Sequence, residues 1–154
     1  MPKGSKYYQG LYVLKNPLKY EGDPATVIYR SSWELRLFNW CDTSPNVMKW
    51  SSEEVIVPYI CPTDNRPHRY FVDAKVVVKT KDGKNKTFLV EVKPKKETSP
   101  PKEPKRKTKG YWNSVMTWGK NQAKWEAATR YAKQRGWEFK IITETNLGLD
   151  KRAK

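Results

Sequence analysis

The chain has 154 residues and carries 31 Lys and Arg against 16 Asp and Glu, which gives a formal charge of +15 at pH 7. Its length suffices for one hydrophobic core, and no apolar run approaches the ~20 residues of a membrane-spanning helix. The charge predicts affinity for a polyanion, of which nucleic acid is the commonest, and a ribosome or an anionic membrane surface would suit it too.

The two cysteines, Cys41 and Cys61, form no CxxC pair, and the single histidine, His68, adds no zinc-ligand cluster. We therefore expect two buried free thiols and no small-molecule cofactor. No signal peptide is visible, so we expect a soluble chain that stays in the cell that makes it and has no membrane partner.

The first half of the chain predicts an N-terminal arm, a helix and a strand. Residues 1–28 are rich in Tyr, Gly and Pro and form the arm, with a short strand near its start. Ser31 and Glu34 have capping-box spacing, so a helix is expected over 32–42. The run from Val55 to Ile60 predicts a strand that Pro62 ends.

The second half predicts a hairpin, a loop, a helix and a strand. The hairpin arms are "HRYFVDAKVVVKT" and "KTFLVEVK", joined by "KDG" within residues 68–93. Residues 94–110 carry four Pro and seven Lys or Arg against two Glu, which predicts a mobile basic loop. A helix over 113–135, stopped by Gly136, and the strand "WEFKIITET" follow. This order indicates one α/β domain over 1–154, or an α+β one, with a central mixed sheet.

Parity fixes the register of the hairpin. The apolar residues of both arms occupy even positions, and they must face one core because a one-residue slip would turn one set outward. These residues are Val72, Ala74, Val76, Val78, Phe88, Val90 and Val92. The "KDG" loop sets Thr80 opposite Lys84, so Asp73 falls opposite Glu91. Lys93 is next on the same odd-numbered face, together with Phe71, Val77 and Leu89.

Two opposed carboxylates repel one another in a sheet unless something offsets their charge. A divalent cation does so, and Mg²⁺, with Mn²⁺ as a substitute, prefers carboxylate oxygens and water. Asp73 and Glu91 would hold the metal, and Lys93 would orient a metal-bound water or stabilise charge that develops on a phosphate. These parts suit phosphodiester hydrolysis. The alternative is a surface ion cluster in which Lys93 only neutralises the two acids.

The arrangement resembles the PD-(D/E)xK nuclease superfamily, in which an Asp, a hairpin turn and Glu-x-Lys form the core. Here these motifs read "FVD" and "EVK", with Val72 where many members have proline. The resemblance implies a restriction-endonuclease-like fold. It also implies an acid on the preceding helix, and Glu34 occupies that position. Glu34 would bind metal directly or through water, or else serve only to cap its helix.

The resemblance extends to two families. The segments "YRSSWELRLFNWCD", "RYFVDAKV", "LVEVKPKKE" and "NQAKWEAATRYAKQRGWEFKIITE" occur in the same order in the head completion nucleases of T-even-type tailed phages and in TnsA-like transposon-end nucleases. The phage family implies cutting of packaged DNA before heads join tails, contact with head or neck proteins, and action in the host cytoplasm or with the virion. A non-catalytic DNA-binding or virion-structural protein, or a restriction- or transposase-type endonuclease, remains an alternative.

Basic side chains would contact DNA phosphates, although for any one of them a solvated charge is the simpler interpretation. They lie beside the first helix, in the basic loop and on the second helix. The superfamily often uses a Gln or Lys on the later helix to complete the site, so Gln122 and Lys124 are candidates for that role. The predicted DNA contacts are Arg30; Lys95, Lys96, Arg106, Lys107 and Lys109; and Lys120, Gln122, Lys124 and Arg130.

Overall fold

The computed structural model of the chain describes residues 9–146, so the first eight residues of the expected N-terminal arm lie outside it. The elements in chain order are β1 (Gly10–Leu11), β2 (Ile28–Tyr29), α1 (Ser32–Thr43), β3 (Val47–Ser51), β4 (Ile56–Cys61), β5 (Arg66–Phe71), β6 (Ala74–Lys79), β7 (Asn85–Val92), α2 (Lys109–Gln134) and β8 (Glu138–Ile142). Short 3-10 turns span Pro17–Lys19, Pro24–Thr26 and Lys95–Thr98.

The central sheet has four strands in the order β3-β6-β7-β8. The first three are antiparallel, and β8 runs parallel to β7 after the chain has crossed over through α2. A mixed sheet with helices on its faces is the restriction-endonuclease-like α/β architecture that the sequence predicts. Within residues 9–146, neither helix is long and apolar enough to span a membrane.

Helix α1 begins at its predicted cap and covers one face of the sheet. Ser31 Oγ accepts a hydrogen bond from the Glu34 N–H at 3.1 Å. On the side toward the sheet, Leu37 and Phe38 are buried with Val76 and Val90. The even-numbered residues of the hairpin thus face α1, as a strand of period two requires.

Helix α2 covers the opposite face. It starts at Lys109, before the expected position, because Thr108 accepts a hydrogen bond from the Tyr111 N–H and caps it. It stops before Gly136, whose φ of +77° suits glycine. Trp125 and Ala128 are buried against Leu89. The sheet is therefore covered on both faces.

The first arm of the hairpin is not the single strand that the sequence predicts. The chain bends at Val72 and Asp73, so that β5 pairs with β4 in a separate two-stranded sheet while β6 continues the central one. The Val72 N–H donates to Val55 O at 3.1 Å and places Val72 in the core under α2. The prediction that Val72 shares the core of the other even residues is wrong, and Phe71 is exposed on the separate sheet.

Two further segments differ from the expectation. Strand β3 was not predicted, because its exposed Met48 and Lys49 interrupt the apolar pattern. The basic segment 94–110 contains the 3-10 turn Lys95–Thr98, and the Lys95 N–H donates to Glu144 Oε1 at 2.7 Å. This end of the segment is therefore tied to the chain after β8.

The described part of the N-terminal arm packs on α1 through one buried carboxylate. Asp42 accepts hydrogen bonds from the Tyr12 hydroxyl at 2.9 Å and from the backbone N–H groups of Lys15 and Asn16 at 2.7 and 3.0 Å. Asp42 is fully buried. A buried charge requires such donors, so this residue fixes the path of the arm.

We expect Asp42→Ala to lower the free energy of unfolding by about 3 kcal/mol, because it leaves buried donors without an acceptor. Urea unfolding followed by tryptophan fluorescence measures the change. Arg36→Ala, on the exposed face of the same helix, is the control and should stay within about 0.5 kcal/mol of the wild type. Equal losses in the two variants would contradict the anchoring role.

Candidate metal and phosphate site

Asp73 and Glu91 meet where β6 begins and β7 ends. Ala74 pairs with Val90, so Asp73 and Glu91 occupy the next opposed positions, and the predicted register is confirmed. Asp73 Oδ2 accepts a hydrogen bond from the Val92 N–H at 2.8 Å. The Glu91 side chain is buried on the face that α2 covers. The hairpin therefore holds two acids together with little access to water.

Burial disfavours the ionised form of both acids. Desolvation, with the charges of Glu91 and Glu34 adding to it, raises the pKa of Asp73 well above its ordinary value. Desolvation also raises the pKa of Glu91, which the Tyr70 hydroxyl and the Lys93 ammonium partly oppose. Oxygen ligands with excess negative charge in a partly dry site suit a hard divalent cation, so the residues present fit Mg²⁺.

Two neighbours orient the Glu91 carboxylate. The Tyr70 hydroxyl donates to Oε1 at 2.5 Å, and Lys93 Nζ lies 3.5 Å from Oε2. Lys93 was predicted beside Glu91, whereas Tyr70 was not predicted at all. Tyr70 belongs to β5, and it reaches Glu91 only because the chain bends at Val72 and Asp73. Nothing in the sequence pattern signals that bend.

Glu34 approaches the pair from the first turn of α1. Its Oε1 accepts a hydrogen bond from the Arg30 N–H at 3.0 Å, so the carboxylate does help to cap the start of α1. Desolvation raises the pKa of Glu34, and its charge contributes to the raised pKa of Asp73. Three carboxylates thus lie within electrostatic range of one another.

Lys124 is the basic residue of α2 that reaches the acids. Its Nζ lies 5.5 Å from the centroid of the Tyr70 ring. Desolvation and the charge of Lys120 lower the pKa of Lys124, while Glu91 acts in the opposite direction. Gln122 is exposed and lies roughly 200° around the helix from Lys124. The structure places Lys124 beside the carboxylates and Gln122 away from them.

Several of the other predicted DNA contacts already have acidic partners. The Arg30 guanidinium is paired with Glu53 through Nε and Nη2, at 3.0 and 2.9 Å. Lys107 Nζ lies 2.6 Å from Glu103 Oε2, and Arg130 Nη1 lies 4.0 Å from Glu126 Oε1. Lys120 is half-buried, one helical turn before Lys124. The remaining predicted contacts are exposed, and they are Lys95, Lys96, Arg106 and Lys109.

A second cluster of metal-binding side chains contradicts the expectation that His68 joins none. One ligand atom each of Cys61, Asp64 and His68 lies within 4.8 Å of the other two. Among the residues that the structure describes, no other three His, Cys, Asp or Glu side chains have ligand atoms this close together. The carboxylate oxygens of Glu34, Asp73 and Glu91 lie farther apart. Cys41 and Cys61 are both free and buried, as expected.

The chain is similar in sequence to known nucleases. The sequence model of the TnsA-like endonuclease N-terminal family matches residues 44–144. The chain is 42% identical over 144 residues to the head completion nuclease of Enterobacteria phage T4, a match that covers 91% of this chain and 93% of the phage protein. The chain belongs to the TnsA-like endonuclease family. The family match includes Asp73, Glu91 and Lys93 and begins after Glu34. No solved structure matches the chain significantly.

We expect Asp73→Asn to raise the melting temperature of the metal-free protein at pH 7, by roughly 2–4 °C for each kcal/mol of relieved repulsion and desolvation. The folded-state pKa of Asp73 lies above its unfolded value, so the wild type loses stability as the pH rises through that range. The difference between variant and wild type should therefore vanish near pH 4 and grow toward neutrality. Differential scanning calorimetry across this range tests it.

Asp82→Asn, in the turn of the same hairpin, is the matched control. The Thr80 hydroxyl lowers the pKa of the exposed Asp82, so removing this charge should leave the melting temperature at pH 7 unchanged or lower. A rise in the control, or a fall in Asp73→Asn with a retained fold, would contradict the electrostatic interpretation.

Proposed function

We propose that this chain is a Mg²⁺-dependent DNA nuclease that acts on packaged DNA during phage head completion. The observation that carries the proposal is the buried pairing of Asp73 and Glu91, where β6 begins and β7 ends, with Lys93 on one carboxylate. Membership of an endonuclease family and 42% identity to a head completion nuclease support it.

Asp73 and Glu91 would hold the metal, and Glu34 would join them directly or through water. Mg²⁺, or Mn²⁺ in its place, would supply a Lewis acid for a phosphate oxygen. The hydrogen bonds from the Val92 N–H and the Tyr70 hydroxyl keep the two carboxylates aligned before DNA arrives. This preorganisation lowers the cost of assembling the site.

Two ammonium groups would act on the phosphate. Lys93 Nζ, 3.5 Å from Glu91, would stabilise the negative charge that grows on the phosphoryl oxygens as the bond to the leaving oxygen breaks. Lys124 enters from α2, and burial already disfavours its charge, so a phosphate is a natural partner for it. Both lysines keep the reacting phosphate near the acids.

Binding of the rest of the DNA would be electrostatic. The exposed side chains of Lys95, Lys96, Arg106 and Lys109 lie in or next to the basic segment that precedes α2. Each phosphate contact releases counterions, so affinity should fall steeply with salt and depend little on base sequence. Arg30 would have to exchange its partner Glu53 for a phosphate to contribute.

The biological role follows from the phage relative. A nuclease that trims packaged DNA would act in the host cytoplasm while heads are completed, and it would meet head or neck proteins there or remain with the virion. One domain suffices for this role, with the basic segment serving as its contact to DNA.

The test is plasmid cleavage by purified protein with Mg²⁺ or Mn²⁺. Asp73→Asn and Lys93→Ala should reduce the rate at least about 100-fold, because each removes a group on which the phosphate or its metal depends. Lys86→Ala removes an exposed lysine of β7, the strand that ends just before Lys93, and should keep full activity. Wild-type protein that shifts DNA on a gel and leaves it intact would establish a non-catalytic binder. Discrete fragments would indicate a restriction-type enzyme.

Glu34→Gln separates the two roles of the helix acid. Glutamine at this position still accepts the Arg30 N–H, so the melting temperature should stay nearly unchanged while cleavage is lost. Residual cleavage near the wild-type rate, together with a lower melting temperature, would show that Glu34 only caps α1.

A further inference from the structure

The tip of the β4–β5 hairpin gathers a thiol, a carboxylate and an imidazole. The ligand atoms of Cys61, Asp64 and His68 all lie within 4.8 Å of one another. His68 Nε2 is 2.8 Å from Asp64 Oδ2, and Cys61 Sγ is 3.0 Å from Thr63 Oγ1. A modest inward movement of the side chains would bring the three donors to the spacing that a bound metal ion requires.

The hairpin register explains this convergence. Tyr59 pairs with His68, and Cys61 lies two residues after Tyr59, so Cys61 and His68 share one face. Asn65 adopts a φ of +60°, and its N–H donates to Cys61 O at 2.7 Å, which turns the loop tightly. Asp64 thereby reaches back toward His68. The backbone, rather than chance side-chain placement, sets the cluster.

The donor set selects the kind of metal. Sulfur and imidazole nitrogen favour Zn²⁺ and related thiophilic ions, whereas Mg²⁺ prefers oxygen alone. The Arg66 N–H donates to Asp64 Oδ1 at 3.0 Å and orients the carboxylate, as outer contacts do in metal sites.

The cluster is open to a metal from solvent and separate from the acids of the central sheet. Cys61 is buried, while the side chains of Asp64 and His68 are 41% and 38% exposed. Tyr70 lies two residues after His68 on the same face of β5, and its hydroxyl reaches Glu91. The two sites are neighbours along β5 and share no ligand.

We propose that Cys61, Asp64 and His68 bind one thiophilic divalent cation of the Zn²⁺ class, which closes the tip of the β4–β5 hairpin and leaves a fourth position to water. The ion would replace the contacts of His68 with Asp64 and of Cys61 with Thr63. By joining the ends of β4 and β5, it would stiffen the strand that carries Tyr70.

Co²⁺ is the probe, because thiolate-to-cobalt charge transfer absorbs in the near ultraviolet and tetrahedral Co²⁺ absorbs in the visible. Wild-type protein should bind one Co²⁺ that gives both features, and Zn²⁺ should displace this ion. Cys61→Ala should abolish the charge-transfer band. The matched control is Cys41→Ala, which removes the other buried thiol and should keep it. His68→Ala should weaken Co²⁺ affinity at least about tenfold.

Two further measurements complete the test. Zn²⁺ should raise the melting temperature of the wild type by more than that of His68→Ala, whose half-exposed side chain can be removed without unfolding the chain. Asp73→Asn should give the same charge-transfer band as the wild type, even if the proposed nuclease activity fails. No charge-transfer band in the wild type, or the same band in Cys61→Ala, would overturn the proposal.

Discussion

The opposition of Asp73 and Glu91 across β6 and β7 is the constraint on which the rest of the site depends. A sheet that places two acids face to face and then covers them must supply something for their charge, because burial raises the pKa of both. The neighbouring groups orient the two carboxylates more than they neutralise their charge. The Val92 N–H and the Tyr70 hydroxyl each bind one oxygen, and Lys93 provides a cation. The fold therefore tolerates a local cost that a divalent cation would relieve.

The site uses both faces of the central sheet. Even-numbered residues of β6 and β7 pack under α1, and Leu89, on the opposite face of β7, packs under α2. Where β6 begins and β7 ends, the charge of Glu34 from α1 acts on Asp73, and Lys124 from α2 interacts with Glu91. A sheet covered on one side only could not bring an acid and a lysine to the same pair from two helices. Because helices cover both faces of the sheet, one small domain can supply both the acid and the lysine of the site.

The sequence predicts the parts of this arrangement that local rules decide. The period of two and the tight turn at Gly83 fix the register, and the cap at Ser31 fixes the start of α1. What escapes prediction depends on long-range packing. The bend at Val72 and Asp73 divides a run that reads as one strand, and it alone brings Tyr70 to Glu91. The cluster at Cys61 was missed because its acid, Asp64, becomes a partner only when the hairpin folds back.

Strand β5 connects two kinds of donor set, one at the tip of the β4–β5 hairpin and one beside Tyr70. The hairpin tip offers sulfur, nitrogen and oxygen, while the acids beside Tyr70 offer oxygen only. Because softness of the ligands governs which ion each set prefers, a thiophilic metal and Mg²⁺ need not compete for one position. His68 and Tyr70 lie on the same face of β5, so any ordering of the tip acts along the strand that aligns Glu91. Tyr70, which the sequence pattern does not predict beside the acids, is thus the residue of β5 that lies between the two sites.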